Sequence, residues 1–179
     1  VRSRRQRQMC IRDSMHTDAV QALGNVDLNF SVAGVDAMTV TAHKLGGPVG
    51  IGALILKRGV NAVPVLHGGG QERSVRSGTL DVPGAVAFAT AARLATEDRD
   101  EKVRIARLRD RLIEGIEERI PEAQLTGPRG DGRLPGNAHF VFPGCEGDTL
   151  LFGLDMAGFD TATGLSLIHI SEPTRLLSI

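Results

Sequence analysis

The 179-residue sequence lacks the features that mark several large classes of protein. It has no excess of basic side chains, because 21 Lys and Arg residues balance 21 Asp and Glu residues, and this argues against a dedicated nucleic-acid-binding protein. No apolar run approaches the roughly 20 residues that cross a bilayer. Two cysteines are too few for a disulfide framework and do not have the spacing of metal ligands. We therefore expect no nucleic-acid partner, no membrane span, no metal site and a reducing, cytoplasmic compartment.

The charge and the glycines are distributed unevenly along the chain. Residues 1–14 hold five arginines and one aspartate, residues 165–179 are neutral, and residues 15–164 contain all 22 glycines with 15 basic and 19 acidic side chains. The DNA string ATG TGT ATA AGA GAC AG encodes the Met-Cys-Ile-Arg-Asp-Ser of residues 9–14, and its reverse complement encodes the Leu-Ser-Leu-Ile-His-Ile of residues 165–170. One inverted element that resembles a transposon adapter thus accounts for both tails. We predict that residues 1–14 and 165–179 are not native, with a genuine basic arm and terminal strand as the alternative.

Residues 15–164 alternate strand-like and helix-like segments, which predicts an α/β fold. Strand patterns occupy residues 35–41 and 138–142, and a third, at 51–56, is apolar enough to predict a buried strand. Residues 17–24 are predicted to end a strand and turn into a short helical piece, and residues 160–163 are β-prone. Helices are predicted at residues 82–97, 100–120 and 147–157, the second with an apolar face formed by Ile105, Leu108, Leu112, Ile116 and Ile120. After Pro121 the sequence changes to a stretch rich in Gly, Pro and charged residues at 127–136, which predicts a domain boundary near residue 120.

Lys44 is one of only three lysines in the sequence, and it lies where a β-run gives way to glycines. A lysine in such a partly buried place can have a depressed pKa, which suits it to Schiff-base chemistry with a carbonyl compound. The alternative is an ordinary loop lysine.

The residues around Lys44 favour the first interpretation. A pyridoxal phosphate enzyme needs a lysine, an acid beside the pyridine nitrogen, and hydroxyl or imidazole groups for the phosphate. Asp18 ends a predicted strand 26 residues before Lys44, so both can lie at the carboxyl ends of strands, where open α/β sheets bind ligands. Gln21 could reach the phenolic oxygen of the cofactor, and Thr41 and His43 could bind its phosphate.

Four motifs resemble the cysteine desulfurases of class V of the aminotransferases. They are His-Thr-Asp-Ala-Val-Gln at 16–21, Thr-Ala-His-Lys at 41–44, Gly-Pro-Val-Gly-Ile-Gly-Ala-Leu at 47–54, and His-Gly-Gly-Gly-Gln-Glu-Arg at 67–73 followed by Arg-Ser-Gly-Thr at 76–79. The resemblance implies an α/β fold in which residues 15–120 are the later part of the large, pyridoxal phosphate-binding domain of fold type I. Residues 121–164 would then begin the small α/β domain.

The resemblance also implies roles for individual residues. Lys44 would hold the cofactor and later move the α-proton of the substrate. Thr79 would reach the phosphate of the partner subunit's cofactor, which implies a homodimer with shared active sites. Each role has a structural alternative: Thr41 could satisfy strand backbone, His43 could be a packed core imidazole, Thr79 could cap a turn, and His67 is expected to be structural.

The reaction implied is the conversion of L-cysteine to L-alanine with a persulfide on an enzyme cysteine, as a sulfur supply for iron-sulfur clusters or tRNA thiolation. The partner implied is a sulfur-acceptor protein such as an iron-sulfur scaffold. Residues 160–164 resemble the run into the Ser-Ala-Cys of the family, but Leu165 follows, so we expect this chain to lack the nucleophile and to be inactive. Cys145 lies at a position that the family does not use for catalysis. The alternatives are a selenocysteine lyase or aminotransferase of the same class, or a non-catalytic scaffold.

Overall fold

A computed structural model describes residues 14–163 of the chain, and the two tails predicted to be non-native lie outside the described residues apart from residue 14. The structure divides into two compact units, one up to Lys102 and the other from Val103 onward. Both units contain strands and helices, as expected of an α/β protein. The domain boundary near residue 120 stays a prediction.

The first unit contains a three-stranded sheet in the order β1 (His16–Asp18), β2 (Ala37–Thr41) and β3 (Gly52–Leu56). β1 is parallel to β2, and β3 is antiparallel to it. Along β2, buried Met38 and Val40 alternate with less buried threonines, as a strand with one face on the core requires. Met38 and Val40 form the core together with Ala19, Val35 and the half-buried side chains around them.

β3 confirms the strand predicted at residues 51–56, but the prediction that this strand is buried is wrong. Leu54 and Ile55 are 49% and 36% exposed. The reason is topological, since β3 lies at the edge of the described sheet and pairs with β2 alone. An apolar run indicates which residues favour burial, but the elements that pack around them determine how far their side chains are buried.

Helix α1 (Val82–Glu97) has the bounds that the sequence predicts. The carboxylate of Asp81 caps its first turn, accepting a hydrogen bond of 3.0 Å from the amide of Gly84. Pro83 occupies a position in the first turn where no backbone hydrogen bond is lost. Phe88 then packs against the core of the sheet.

Helix α2 (Arg99–Arg119) begins at the end of the first unit and continues into the second. A two-stranded antiparallel ladder of β4 (Gln124–Leu125) and β5 (Phe140–Val141) follows, and then helix α3 (Gly147–Met156). The predicted strand at 138–142 and helix at 147–157 are thus confirmed in type. The β-prone residues 160–163 form no strand.

The buried face of α2 differs from the predicted one. Arg109 and Ile113 are buried, whereas Leu108 and Leu112 are 51% and 54% exposed. The guanidinium of Arg109 donates a hydrogen bond of 3.1 Å to the carbonyl of Leu134 and contacts Asp110 at 2.8 Å. An arginine can bury its aliphatic stem when its charged end is bonded, so the helix turns a basic residue inward.

Candidate functional site

The parallel pairing of β1 and β2 brings their carboxyl ends to one edge of the sheet. Asp18 is the last residue of β1 and lies in register with Thr39, two residues before the end of β2 at Thr41. A turn of 3₁₀ helix, His43–Leu45, follows β2 and contains Lys44. The predicted placement of Asp18 and Lys44 at the carboxyl ends of strands is therefore what the backbone shows.

The side chains at this edge share one face of the sheet. Because side chains alternate along a strand, Asp18, Thr39 and Thr41 lie on the face opposite to the buried Met38 and Val40. On β1 and at the carboxyl end of β2 this face carries polar side chains, whereas β3 adds Leu54, in register with Thr39; the opposite face forms the core of the unit.

Sequence reasoning assigned no role to one polar pair on this face. The imidazole Nε2 of His16 lies 2.7 Å from the hydroxyl of Thr39. His16 is two residues before Asp18 on the same face of β1, and Thr39 is two residues before Thr41 on β2. The sequence signal for this pair was the occurrence of polar residues at every second position of both strands, which places them on one face.

Thr41 links β2 to the turn that contains Lys44. Its hydroxyl donates a hydrogen bond of 3.2 Å to the carbonyl of Ile51 and lies 3.0 Å from Nδ1 of His43. A hydroxyl has a single hydrogen to donate, so Thr41 accepts from Nδ1–H of His43. No hydrogen bond to Nε2 of His43 occurs within the described chain, which makes this nitrogen the one available to a ligand.

The backbone around Lys44 is anchored at Ala42. Ala42 is fully buried, and its carbonyl accepts hydrogen bonds of 2.9 Å from the amide of Leu45 and 3.0 Å from that of Gly47. Gly46, with φ of 75°, takes the left-handed conformation that lets the chain close this turn. Lys44 itself is exposed, so the expectation of a partly buried lysine is wrong: Ala42 is buried, whereas the side chains of His43 and Lys44 are not.

Helix α1 supports this turn through close contacts at glycine. A Cβ atom added at Gly47 would lie 3.0 Å from that of Ala42 and 3.1 Å from that of Ala91 on α1. A Cβ atom added at Gly24 would lie 2.9 Å from Cβ of Ala95 on α1 and 2.9 Å from Cδ2 of Leu45. The absence of a side chain at Gly24 and Gly47 therefore lets the helix and the Lys44 turn approach each other closely.

Gln21 follows Asp18 in a short helical segment of turns. The carboxylate of Asp18 accepts a hydrogen bond of 3.0 Å from the amide of Val20, which fixes the start of this segment. The carbonyl of Gln21 accepts a bond of 2.9 Å from the side chain of Asn25. The side chains of Asp18 and Gln21 are both exposed.

Thr79 lies at the end of a separate loop, residues 67–79, and no described contact joins it to Asp18, Gln21 or Lys44. Its carbonyl accepts a hydrogen bond of 3.5 Å from the guanidinium of Arg76, and its side chain is exposed. The alternative role as a cap of a turn finds no hydrogen bond from the Thr79 hydroxyl among the described residues. His67 also lies in this loop and is exposed.

The donor set at the carboxyl edge suits a phosphorylated carbonyl compound. It combines a primary amine, a carboxylate, a hydroxyl and an imidazole on the Asp18–Thr41–Lys44 side of one sheet. Among residues 14–163, no three His, Cys, Asp or Glu side chains cluster closely enough to hold a metal ion. No helix in the same range is long and apolar enough to cross a membrane.

Residues 8–175 match the family model described as aminotransferase class V. An IscS-like cysteine desulfurase from Mycobacterium tuberculosis is 49% identical over 165 residues, which cover 91% of this chain and 42% of that protein. Cysteine desulfurase IscS from Clostridium botulinum is 46% identical over 165 residues, again covering 42% of its length. The chain thus spans about two fifths of the length of the relatives that it matches.

Solved structures resemble the fold over most of the chain. The NifS-like protein from Rickettsia africae superposes with a TM-score of 0.76 at 31% identity, covering 85% of this chain and 42% of that one. A second NifS-like protein superposes with a TM-score of 0.71 at 36% identity, covering 81% of this chain and 39% of the other.

Proposed function

Because this chain belongs to the aminotransferase class V family, we propose that the protein is a pyridoxal phosphate-dependent cysteine desulfurase. Family membership also confirms the predicted α/β fold. Enzymes of this family depend in general on pyridoxal phosphate. The observation that carries the proposal is the parallel pair β1 and β2, which has Asp18 at the end of one strand and the Lys44 turn after the other.

The side chains at the carboxyl edge fit this cofactor by their chemistry. Lys44 would hold it through Nζ, and Asp18 would pair with its pyridine nitrogen. Gln21 would donate to its phenolic oxygen. His43 would bind its phosphate through Nε2–H, in the form that carries a hydrogen on both ring nitrogens, since Nδ1–H is engaged by Thr41, and the Thr41 hydroxyl would donate to the phosphate in place of the carbonyl of Ile51.

The hydrogen bonds of Thr41 link the proposed phosphate-binding residues to the turn that contains Lys44. Thr41, the last residue of β2, is bonded to Ile51, the residue before β3, as well as to His43, so it connects the turn after β2 to the start of β3. Movement of the turn would disturb both bonds. We infer that this connection orients Nζ of Lys44 relative to the phosphate-binding groups.

The proposed reaction removes sulfur from L-cysteine, as the names of the relatives suggest. The cofactor, when bound, withdraws electrons from the Cα atom of the substrate. Lys44 would take the proton from Cα at Nζ. A thiolate of the enzyme would then attack the substrate sulfur, so that the carbon–sulfur bond breaks, a sulfur–sulfur bond forms, and the carbon gains a proton to become L-alanine. Cys145, exposed in the loop before α3, is not assigned this role.

The proposed partners follow from the same assignment. Thr79 would contact the phosphate bound by a second copy of the chain, which makes the functional unit a homodimer. The persulfide would pass to a sulfur-acceptor protein such as an iron-sulfur scaffold. A cytoplasmic location is consistent with the small number of cysteines.

The test of cofactor binding is a visible absorbance band after addition of pyridoxal phosphate to the purified protein. We expect the band in the wild type, its loss in Lys44→Ala, and its retention in Lys57→Ala. Lys57 is the matched control because it is also an exposed lysine but forms a salt bridge with Asp36, at the other end of β2. Retention of the band in Lys44→Ala would refute the assignment, and its absence from the full-length wild-type protein would favour the non-catalytic scaffold.

The test of the reaction is release of L-alanine from L-cysteine by the cofactor-loaded full-length protein, with L-selenocysteine and other L-amino acids as competing substrates; the 179-residue chain, expected to lack the nucleophile, should release none. Preference for L-cysteine supports a desulfurase. Preference for L-selenocysteine, or amino-group transfer without loss of sulfur, would instead assign the protein to a different activity of the same family.

A further inference from the structure

The loop at residues 67–79 holds a strained backbone. Glu72, Arg73 and Ser74 have φ angles of 48°, 56° and 64°, in the left-handed region that side chains with a Cβ atom disfavour. Three such residues in a row persist only where surrounding bonds hold the loop. The hydrogen bonds that hold the loop therefore indicate which of its residues are fixed in position.

Two hydrogen bonds close the loop, one at Ser77 and one at Gly78, the residue before Thr79. The buried hydroxyl of Ser77 donates a hydrogen bond of 2.6 Å to the carbonyl of Gly69. The side-chain oxygen Oε1 of Gln71 accepts a bond of 3.2 Å from the amide of Gly78. Thr79 follows Gly78 directly, and Asp81, two residues later, is fixed as the cap of α1.

The path of the Gln71 side chain across the loop depends on Gly69. A Cβ atom at Gly69 would lie 2.7 Å from Oε1 and 3.0 Å from Nε2 of Gln71. Gly78, with φ of 111°, presents its amide in a conformation that other residues rarely adopt. The glycines on both sides of the bond therefore serve the same contact between Gln71 and Gly78.

We infer that Gln71 is a positioning residue for Thr79, one that fixes the backbone from which the Thr79 hydroxyl reaches a cofactor phosphate. This inference rests on the proposed function for the phosphate role alone. The bond between Gln71 and Gly78 stands on the geometry of the loop. Gln71 acts through Thr79 and does not itself contact the phosphate.

The first test measures hydrogen exchange at the amides of Gly78 and Thr79. Gln71→Leu removes the acceptor at similar size, so exchange at Gly78 should accelerate about tenfold. Gln71→Glu keeps an oxygen acceptor and should restore slow exchange. Equal exchange in the wild type and Gln71→Leu would overturn the inference, whatever the cofactor does.

The second test is a double-mutant cycle on the dissociation constant of pyridoxal phosphate. We expect Gln71→Leu to weaken binding about tenfold in the wild type and to have no further effect in Thr79→Ala. Binding of pyridoxal, which has no phosphate, should be the same in all four proteins. An equal effect of Gln71→Leu in both backgrounds would overturn the action through Thr79. If the wild type binds no cofactor while the exchange test succeeds, the proposed function and the phosphate role fail, and the loop bond stands.

Discussion

Substitution of Gly24 by alanine tests whether contact with α1 holds the Lys44 turn in place. Gly24 has φ of 78°, and its added Cβ atom would lie 2.9 Å from both Cβ of Ala95 and Cδ2 of Leu45. Ordinary carbon–carbon contacts lie at about 3.5–4.0 Å, so one or both neighbours must move by about 0.6–1 Å. Leu45 can yield by rotating its side chain, whereas Cβ of Ala95 is fixed to the helix backbone.

The expected loss in free energy of unfolding has two parts. The left-handed conformation costs an alanine about 1–2 kcal/mol, and overpacking of a close contact costs about 1–3 kcal/mol. We expect Gly24→Ala to lose about 2–5 kcal/mol. Gly34→Ala is the matched control, because Gly34 has φ of 70° with no atom within 4 Å of the added Cβ, and it should lose only the first part.

Urea unfolding followed by circular dichroism provides the measurement, since the chain has no Trp or Tyr for fluorescence. Ala95→Gly alone should cost about 1 kcal/mol, because it places a glycine in a helix. In the Gly24→Ala background it should cost less than this or restore stability, because it also removes the contact with the added Cβ atom. Equal losses in Gly24→Ala and Gly34→Ala, or no coupling with Ala95→Gly, would refute the argument that this contact supports the turn.

Two further predictions concern charged groups. Arg109→Met should lower the free energy of unfolding by about 2 kcal/mol, since it removes a buried donor from a backbone carbonyl. The control is Arg93→Met, which breaks an exposed salt bridge and should cost at most about 0.5 kcal/mol. Similar losses for the two variants in urea unfolding would contradict the stabilising role of Arg109. The backbone amide of Met15 and then Lys57 hold the pKa of Asp36 below its usual value, so the stability that Asp36 contributes is present above about pH 4 and is lost as the pH falls through the lowered pKa. Asp36→Asn should flatten the pH dependence of unfolding in that range, and an unchanged acid limb would show that the contact has no influence.

Local sequence signals predicted the elements that carry their own start and stop residues. Asp81 and Pro83 mark the beginning of α1, and its bounds agree with the prediction. The end of β1 at Asp18 and the Lys44 turn after β2 follow in the same way from strand patterns that give way to turn residues. These signals act over a few residues, so they can be read from the sequence alone.

Burial could not be predicted as well, because it depends on neighbours that are distant in sequence. The apolar spacing of α2 selected Leu108 and Leu112, but the loop around Leu134 offers a carbonyl to Arg109 and turns that side of the helix inward. Lys44 was expected to be partly buried from its glycine-rich setting. Its exposure follows from the burial of Ala42, two residues before it, and that burial depends on the elements packed around the turn, which spacing does not encode.

The roles of single site residues remain predictions for a related reason. The pairing of Thr41 with His43 joins residues two apart and could be anticipated from the motif. The pairing of His16 with Thr39 joins residues 23 apart and needs the register of β1 on β2. Sequence patterns thus identified the edge of the sheet but not all of the polar groups on it.

The exposed edge of β3 has a consequence for the chain as a sample in solution. Within the described residues, β3 pairs on one side only, so its other side has unpaired backbone groups as well as exposed apolar residues. Strands from other molecules can add to such an edge. Self-association through this edge would rise with concentration and would be hard to separate from a functional dimer. Sedimentation over a range of dilutions therefore belongs before any ligand titration, since an aggregate that grows along β3 would scatter light across the wavelengths at which the cofactor absorbs.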